Sequence, residues 1–315
     1  MLTVAIENSY NHKFSWKDTF WAMFFMQKYF SEKWINLIRV SVNRFNKKTW
    51  YFEEYGKMDD NKEHVVFKKK IKPDIIWVRK SSYAWYKYEV LKNFKMVPWL
   101  KIATIWNDKM ENFKFLSKYQ PMTCLLSSFF NSTYMQNQLD KKLVLKPIRA
   151  NWWKWIKLLS KKELFENKDK YEGLEELFIV QSFKDFSKWF WDISKWWHDI
   201  RLMFAWNKII ETTLREPKKW DFRSNIWSWW TQRFIDNNKI PKELLRLAKK
   251  IYKDLEISDD NIFSMDFAYC KKEEKWYLLE INSSPWTRFY QTDKEILKKI
   301  FKWFTNFFIN LDKQC

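Results

Sequence analysis

Apolar positions along this chain alternate between short runs and helical stripes. Leu2–Ile6 is an apolar run of strand length, Thr19–Lys33 carries apolar residues at helical spacing, and Ile35–Val42 is a second run. Together they predict a strand–helix–strand unit. Residues 43–70 are mixed in charge and less regular, with room for a hairpin. Lys72-Pro73-Asp74 then leads into a strand at Ile75–Val78. This first part, to about residue 104, predicts a small α/β domain, with Arg79 following its last strand. Asn107–Tyr119 places Met110, Phe113 and Leu116 on one helical face. Asn107 or Asp108 is its cap, and Pro121 stops it. Leu143–Lys146 and Ile156–Leu159 are strands on either side of the loop Ile148–Trp155. Lys161–Tyr171 is a helix, and Leu177–Gln181 a strand. Ile200–Phe204 and Lys208–Thr213 form a strand pair around Trp206-Asn207. Pro241–Glu256 is a helix with proline in its first turn and Leu244, Leu245, Leu247, Ala248, Ile251 and Leu255 on its packing face. Met265–Tyr269 and Tyr277–Ile281 flank the charged connector Lys271–Lys275, a hairpin pattern. Asp293–Asn310 is a closing helix.

Composition changes this picture in one respect. The chain of 315 residues has 2 Gly and 23 Trp. Average usage of about 7% would give roughly 22 glycines. The tryptophans also occupy places that want glycine physics. Trp206 sits where a Gly-Asn hairpin turn would, and Trp34 follows a helix at the position of a glycine C-cap. Trp-Trp pairs at 152–153, 196–197 and 229–230 lie in polar loops. These observations predict that the gene reads UGA as glycine, and that many tryptophans here are glycines in the natural protein. Trp77 and Trp276 suit strands as they stand.

The net charge of +20 permits an acidic partner. The lysines are spread over the whole chain, however, as AT-rich coding would spread them, so nucleic acid is not the expected partner. Cys124, Cys270 and Cys315 are scattered and odd in number, as free thiols are in a reducing compartment. No apolar run reaches 18 residues, and the start lacks a basic-then-apolar leader. The expected location is the cytoplasm, away from membranes.

The candidate chemistry gathers in Ser264–Arg288. Its hairpin puts Asp266 on one strand and Glu280 and Asn282, two apart, on one face of the other. Three oxygen-bearing side chains so placed suit a hard divalent cation beside nucleotide phosphates. Upstream, the loop RANWWKW becomes RANGGKG with glycine at 152, 153 and 155, and glycines let backbone N–H groups curl round a phosphate. The stretch ending WDFRSNIWSWW becomes GDFRSNIGSGG. The hairpin Asp266, the LLEIN around Glu280 and Asn282, and the SSPW that follows resemble the metal-binding end of ATP-grasp ligases, with Trp286 where that family has glycine. GDFRSN resembles the RimK-type glutamate ligases and their glutathione synthetase-like relatives.

That resemblance covers roughly residues 107–290 and implies an ATP-grasp fold. An N-terminal pre-ATP-grasp α/β domain at 1–104 would precede a domain at 105–315 made of α+β subdomains at about 105–180 and 181–315. It implies that Asp266, Glu280 and Asn282 bind Mg²⁺ or Mn²⁺. Lys146 and Lys154 would hold ATP phosphates, and Lys109 would lie near the nucleotide, although a surface lysine is the plain alternative. Gln181 and Phe183 would form the adenine hinge, unless they are an ordinary strand end. Asp199, Arg201 and Ser224 match family positions of the nucleotide site. Arg223, Asn225 and Arg215 would steady the transferring group. The implied reaction is amide formation from a glutamate-like carboxylate and an amine, on a small molecule or a peptide, through an acyl phosphate, with release of ADP and phosphate. His198 has no histidine neighbour and is weak support for a general base. The other reading is a non-enzymatic, basic, aromatic-rich binder of single-stranded nucleic acid. It needs real tryptophans clustered on a basic face.

Overall fold

The computed structural model describes residues 1–7, 17–61, 63–78, 89–91, 93–97, 102, 108–149, 156–187, 199–216, 231–256, 261–282 and 294–313. In chain order these hold β1 (Leu2–Glu7), α1 (Lys17–Ser31), β2 (Ile35–Val40), β3 (Phe45–Asn46), β4 (Tyr51–Phe52), β5 (Tyr55–Met58), β6 (His64–Phe67), β7 (Ile75–Val78) and β8 (Lys95–Val97). There follow α2 (Lys109–Leu116), β9 (Thr123–Leu125), α3 (Leu126–Asn131), α4 (Thr133–Gln138), β10 (Lys142–Pro147), β11 (Lys157–Ser160), α5 (Lys161–Glu166) and β12 (Phe178–Ser182). The last third holds β13 (Asp199–Ala205), β14 (Lys208–Glu216), β15 (Thr231–Phe234), α6 (Lys242–Asp254), β16 (Ile262–Cys270), β17 (Lys275–Asn282) and α7 (Lys294–Lys313).

These strands make three main sheets. The first has the order β6-β5-β2-β1-β7-β8, with β2, β1, β7 and β8 parallel. Its central strands are continuous apolar runs because both faces are covered. Val4, Ile6, Leu37 and Trp77 face α1 and α7, while Ala5, Ile38, Ile76 and Val78 face Phe52, Leu91 and Phe94. The second sheet, β11-β10-β12-β9, is antiparallel and packs Leu143, Leu145 and Val180 against Phe129 and Leu164. The third is the antiparallel sheet β15-β14-β13-β16-β17. One of its faces buries Ile200, Leu202, Leu214, Phe263, Met265 and Phe267 beneath Leu244, Ala248 and Ile251 of α6. The opposite face carries the polar side chains described below.

The C-terminal helix α7 belongs to more than its own end of the chain. Phe301, Phe304 and Phe308, spaced as one helical face, pack on Phe30 of α1 and Trp77 of β7. Trp303 and Phe307 meet Trp206 at the β13–β14 turn.

Non-glycine residues with positive φ include Trp34 at 61°, Trp50 at 59° and Trp206 at 54°. An L-residue in this left-handed region pays about 1–2 kcal/mol in steric strain. Trp34 is also 79% exposed, so its indole gains little from packing. Trp34→Gly is therefore expected to raise the unfolding free energy by about 1 kcal/mol, the relieved strain exceeding the added freedom of the unfolded chain. Urea denaturation of the two forms checks this. Trp77 is 1% exposed and Trp276 5%, and both behave as strand residues.

Lys184, just after β12, ties the second sheet to the third. Its ammonium lies 3.0 Å from Asp140 before β10 and 2.7 Å from Glu273 in the β16–β17 turn. It also sits 5.8 Å from the centre of the Tyr277 ring, while the Tyr277 hydroxyl donates to Glu273. Burial works against the Lys184 charge, but the two carboxylates outweigh it and hold its pKa above the usual lysine value. Lys184→Met should leave two solvent-exposed carboxylates without their cation, and because water screens them the urea-derived stability should fall by only about 1 kcal/mol or less.

Candidate nucleotide and metal site

The polar face of the third sheet follows from strand alternation. In β14, Glu211, Thr213 and Arg215 point the same way, as do Asp199 and Arg201 in β13, Ser264 and Asp266 in β16, and Glu280 and Asn282 in β17. Register sets them in rows across the sheet. Thr213, Arg201, Asp266 and Glu280 are successive cross-strand partners, and Glu211, Met203, Ser264 and Asn282 form the next row.

Asp266 is fully buried at the centre. Its Oδ1 accepts from Arg201 Nε at 2.7 Å, and its Oδ2 from Arg201 Nη2 at 2.7 Å and Arg215 Nη2 at 2.6 Å. Arg215 also donates to Asp199, so two acids and two guanidinium groups form one buried network. Burial alone would raise the Asp266 pKa. Arg201 and Arg215 overcome it and hold the carboxyl down at about 2.

The Asn282 amide bridges the candidate metal ligands, donating at 3.1 Å to Asp266 Oδ2 and at 3.0 Å to Glu280 Oε1. The hairpin thus brings together the three residues that the sequence singled out. Two carboxylates and a carboxamide oxygen are hard donors that suit Mg²⁺. Rotating the Asn282 amide by a half turn puts its oxygen where its nitrogen now sits, and that assignment rests on the hydrogen-bond network alone. Among the described residues no cluster of three or more His, Cys, Asp or Glu side chains has metal-site geometry, so this mixed set is the candidate.

Two lysines feel the charge of Glu280. Lys146 of β10 donates to Gln181 Oε1 at 2.8 Å, and Gln181 in turn donates to Thr123 at 2.7 Å. Lys109 opens α2, whose N-cap Asp108 accepts from the backbone of Met110 and Glu111. Its ammonium reaches the Ile148 carbonyl at 3.4 Å. Burial, reinforced by the Lys109 charge and opposed by Glu280, lowers the Lys146 pKa to about 8. Burial lowers that of Lys109 too, with Glu280 and Asp108 opposing. The two cations and Glu280 therefore share one electrostatic neighbourhood.

Gln181 is 9% exposed, and its side chain orients Lys146. The Phe183 N–H donates to the Lys142 carbonyl at 3.0 Å and continues the β12–β10 pairing. Asp199, Arg201 and Arg215 serve the buried network around Asp266. Arg79, Asn107, Trp152, Trp153, Lys154, Trp155, His198, Arg223, Ser224, Asn225 and Trp286 lie outside the described residues. Sequence reading passed over Glu211, which is 7% exposed. Its Oε1 accepts from the Thr213 hydroxyl at 2.9 Å, while Oε2 has no hydrogen-bond partner among the described residues. Burial, opposed by Thr213 and Arg201, pushes its pKa up to about 8. The alternation Glu211–Thr213–Arg215 was the available signal.

No protein-family profile matches the chain, and no curated protein matches it by sequence. Solved structures do match over nearly its full length. VanG D-Ala:D-Ser ligase from Enterococcus faecalis superposes with a TM-score of 0.63 at 14% identity, covering 99% of each chain. The ATP-grasp ligase PsnB, complexed with a precursor variant, Mg and ADP, gives 0.62 at 11% identity, covering 98% of each chain. A RimK domain ATP-grasp protein from Sphaerobacter thermophilus gives 0.59 at 11% identity, covering 96% of this chain and 98% of its own. The chain has the ATP-grasp fold.

Proposed function

We propose that this protein is an ATP-dependent carboxylate–amine ligase of the RimK kind. The observation that carries the reading is the meeting of Asp266, Glu280 and Asn282 on one sheet face, with Lys146 and Lys109 in the same electrostatic neighbourhood, inside an ATP-grasp fold. Asp266, Glu280 and Asn282 would hold Mg²⁺, which neutralises phosphate charge when bound. Lys146 would orient the phosphate tail, held in place by Gln181, and Lys154 would join it from the loop at 150–155.

Phosphoryl transfer needs positioning and charge neutralisation more than a protein nucleophile. A carboxylate oxygen of the substrate attacks the γ-phosphorus, and the bond to the β–γ bridging oxygen breaks to release ADP. The amine nitrogen then attacks the acyl carbon, and the carbon–oxygen bond to phosphate breaks. The amine proton leaves with phosphate or solvent. Arg223, Asn225 and Arg215 would steady the acyl phosphate. The similar solved structures include a D-Ala:D-Ser ligase and a macrocyclase bound with a precursor peptide, which supports an amino acid or peptide as substrate class. The test is ADP release with Mg²⁺, screened against amino acids and acidic peptides as carboxylate donors. Failure of the protein to retain ADP with Mg²⁺ overturns the reading.

The loop at 150–155 works in this scheme only if its tryptophans are glycines in the natural protein. The positive φ of Trp34, Trp50 and Trp206 supports that recoding. Mass spectrometry of the natural peptide around Lys154 decides it, and intact indoles there would rule it out. The nucleic-acid reading gains no such support. Trp77 and Trp276 are buried, and Trp206 packs on Trp303.

The lowered Lys146 pKa has a pH consequence. A bound phosphate favours the charged ammonium, so nucleotide affinity is greatest while Lys146 is protonated. It should fall as pH rises through about 8, by at most about tenfold per unit for this group. Titrating ADP from about pH 7 to about pH 9.5 measures it, and Lys146→Met should flatten the profile.

A further inference from the structure

We infer that Glu211 is the second seat of the Arg201 guanidinium: when a divalent cation takes Asp266, Arg201 turns from Asp266 to the Glu211 carboxylate. This rests on the proposed assignment of Asp266 as a metal ligand. As the structure stands, Asp266 has no room for a cation. Oδ1 accepts from Arg201, and Oδ2 accepts from Arg201, Arg215 and Asn282 together, more donors than its two lone pairs serve well. A metal ion can bind there only if donors withdraw. Asn282 can rotate its amide, and Arg215 already bonds a second acid, Asp199.

Arg201 is only 8% exposed, and both bonds of its fork go to Asp266. A guanidinium pushed off Asp266 inside the protein needs another carboxylate, because an unpaired buried charge is heavily penalised. Glu211 is placed to supply it. Arg201 lies on the middle strand, with Asp266 beside it on β16 and Thr213 beside it on β14. Glu211 is the diagonal neighbour two residues before Thr213, on the same face, a separation that long side chains span. It already feels the Arg201 charge, and it gives up its proton to solvent as the guanidinium arrives, since a paired cation favours the ionised carboxyl. Its Oε1 is fixed by Thr213, whereas its buried Oε2 has no hydrogen-bond partner among the described residues. A buried polar atom left unsatisfied calls for a cause. An acceptor kept open for the displaced fork is such a cause. Glu211 is in this account a positioning residue that acts through Arg201.

The experiment is calorimetric titration of MgCl₂ into the protein saturated with ADP, for the wild type and Glu211→Gln. The substitution is expected to weaken Mg²⁺ binding by about tenfold or more, while ADP affinity in EDTA changes by less than about twofold. Glu211→Asp, which keeps a carboxylate, should recover part of the loss. If Glu211→Gln does not fold, Glu211→Met carries the same comparison. In an Arg201→Gln background, the Glu211 substitution should change Mg²⁺ affinity by less than about twofold. An unchanged Mg²⁺ affinity in Glu211→Gln overturns the inference and leaves the ligase reading standing. So does a full loss that persists without Arg201, since the effect would then not pass through the guanidinium. A wild-type protein that binds neither ADP nor Mg²⁺ overturns both.

Discussion

Glu280→Gln is expected to abolish magnesium-dependent turnover, by about a hundredfold or more, or roughly 2.7 kcal/mol of barrier. Of the two candidate carboxylate ligands, Glu280 is the one not bound to an arginine in the described network. Its Oε1 receives only the Asn282 amide, and its charge acts on Lys109 and Lys146. The glutamine keeps the shape and can still pair with Asn282, but it lacks the anionic oxygen that Mg²⁺ prefers. Folding should therefore survive while metal binding fails. Circular dichroism and Mg²⁺ calorimetry, run beside the ADP-release assay, separate the two. Full activity in this variant would remove the metal assignment.

Asp266→Ala is expected to strike stability itself. Asp266 neutralises two buried arginines, and removing one partner of a buried pair usually costs 3–5 kcal/mol. Arg215 retains Asp199, and Arg201 keeps Glu211 within reach, so the lower end applies, about 3 kcal/mol. Urea unfolding measures it. A loss below about 1 kcal/mol would mean that the network is looser than its bond lengths imply. The effect should appear without nucleotide or metal, which distinguishes it from the Glu280 result.

The metal candidates were legible because strand alternation and a charged connector fix a hairpin, and a hairpin fixes which side chains meet. Asp266, Glu280 and Asn282 needed no further information. Lys146 was legible as the end of an apolar run, and its link through Gln181 to Thr123 was not, since the two bonded pairs are 35 and 58 residues apart in sequence. The stretch after Pro121 escaped reading. It folds into β9, α3 and α4, of three to six residues each, too short for periodicity to show. The helix expected at Lys161–Tyr171 starts with a Ser160–Glu163 capping box but stops at Glu166, then tightens into a 3₁₀ turn from Lys168. Its apolar residues Leu164 and Tyr171 fit either form. Glu211 was missed because one acid in an alternating strand looks like a solvated residue until its neighbours bury it. The amphipathic pattern of α7 showed that it packs, but not that its target is the first sheet.

That target sets which parts can travel. With Phe301, Phe304 and Phe308 sunk into the first sheet, and Trp303 and Phe307 gripping the far turn of the third, one helix rivets the two outer sheets into a chassis. The sheet of residues 123–182 is left as the lighter flap, fastened through Lys184 and the strand exit beside it. A ligand lying between Lys146 and Glu280 would then be expected to enter and leave by movement of the second sheet, with the carboxylates of the third held in place.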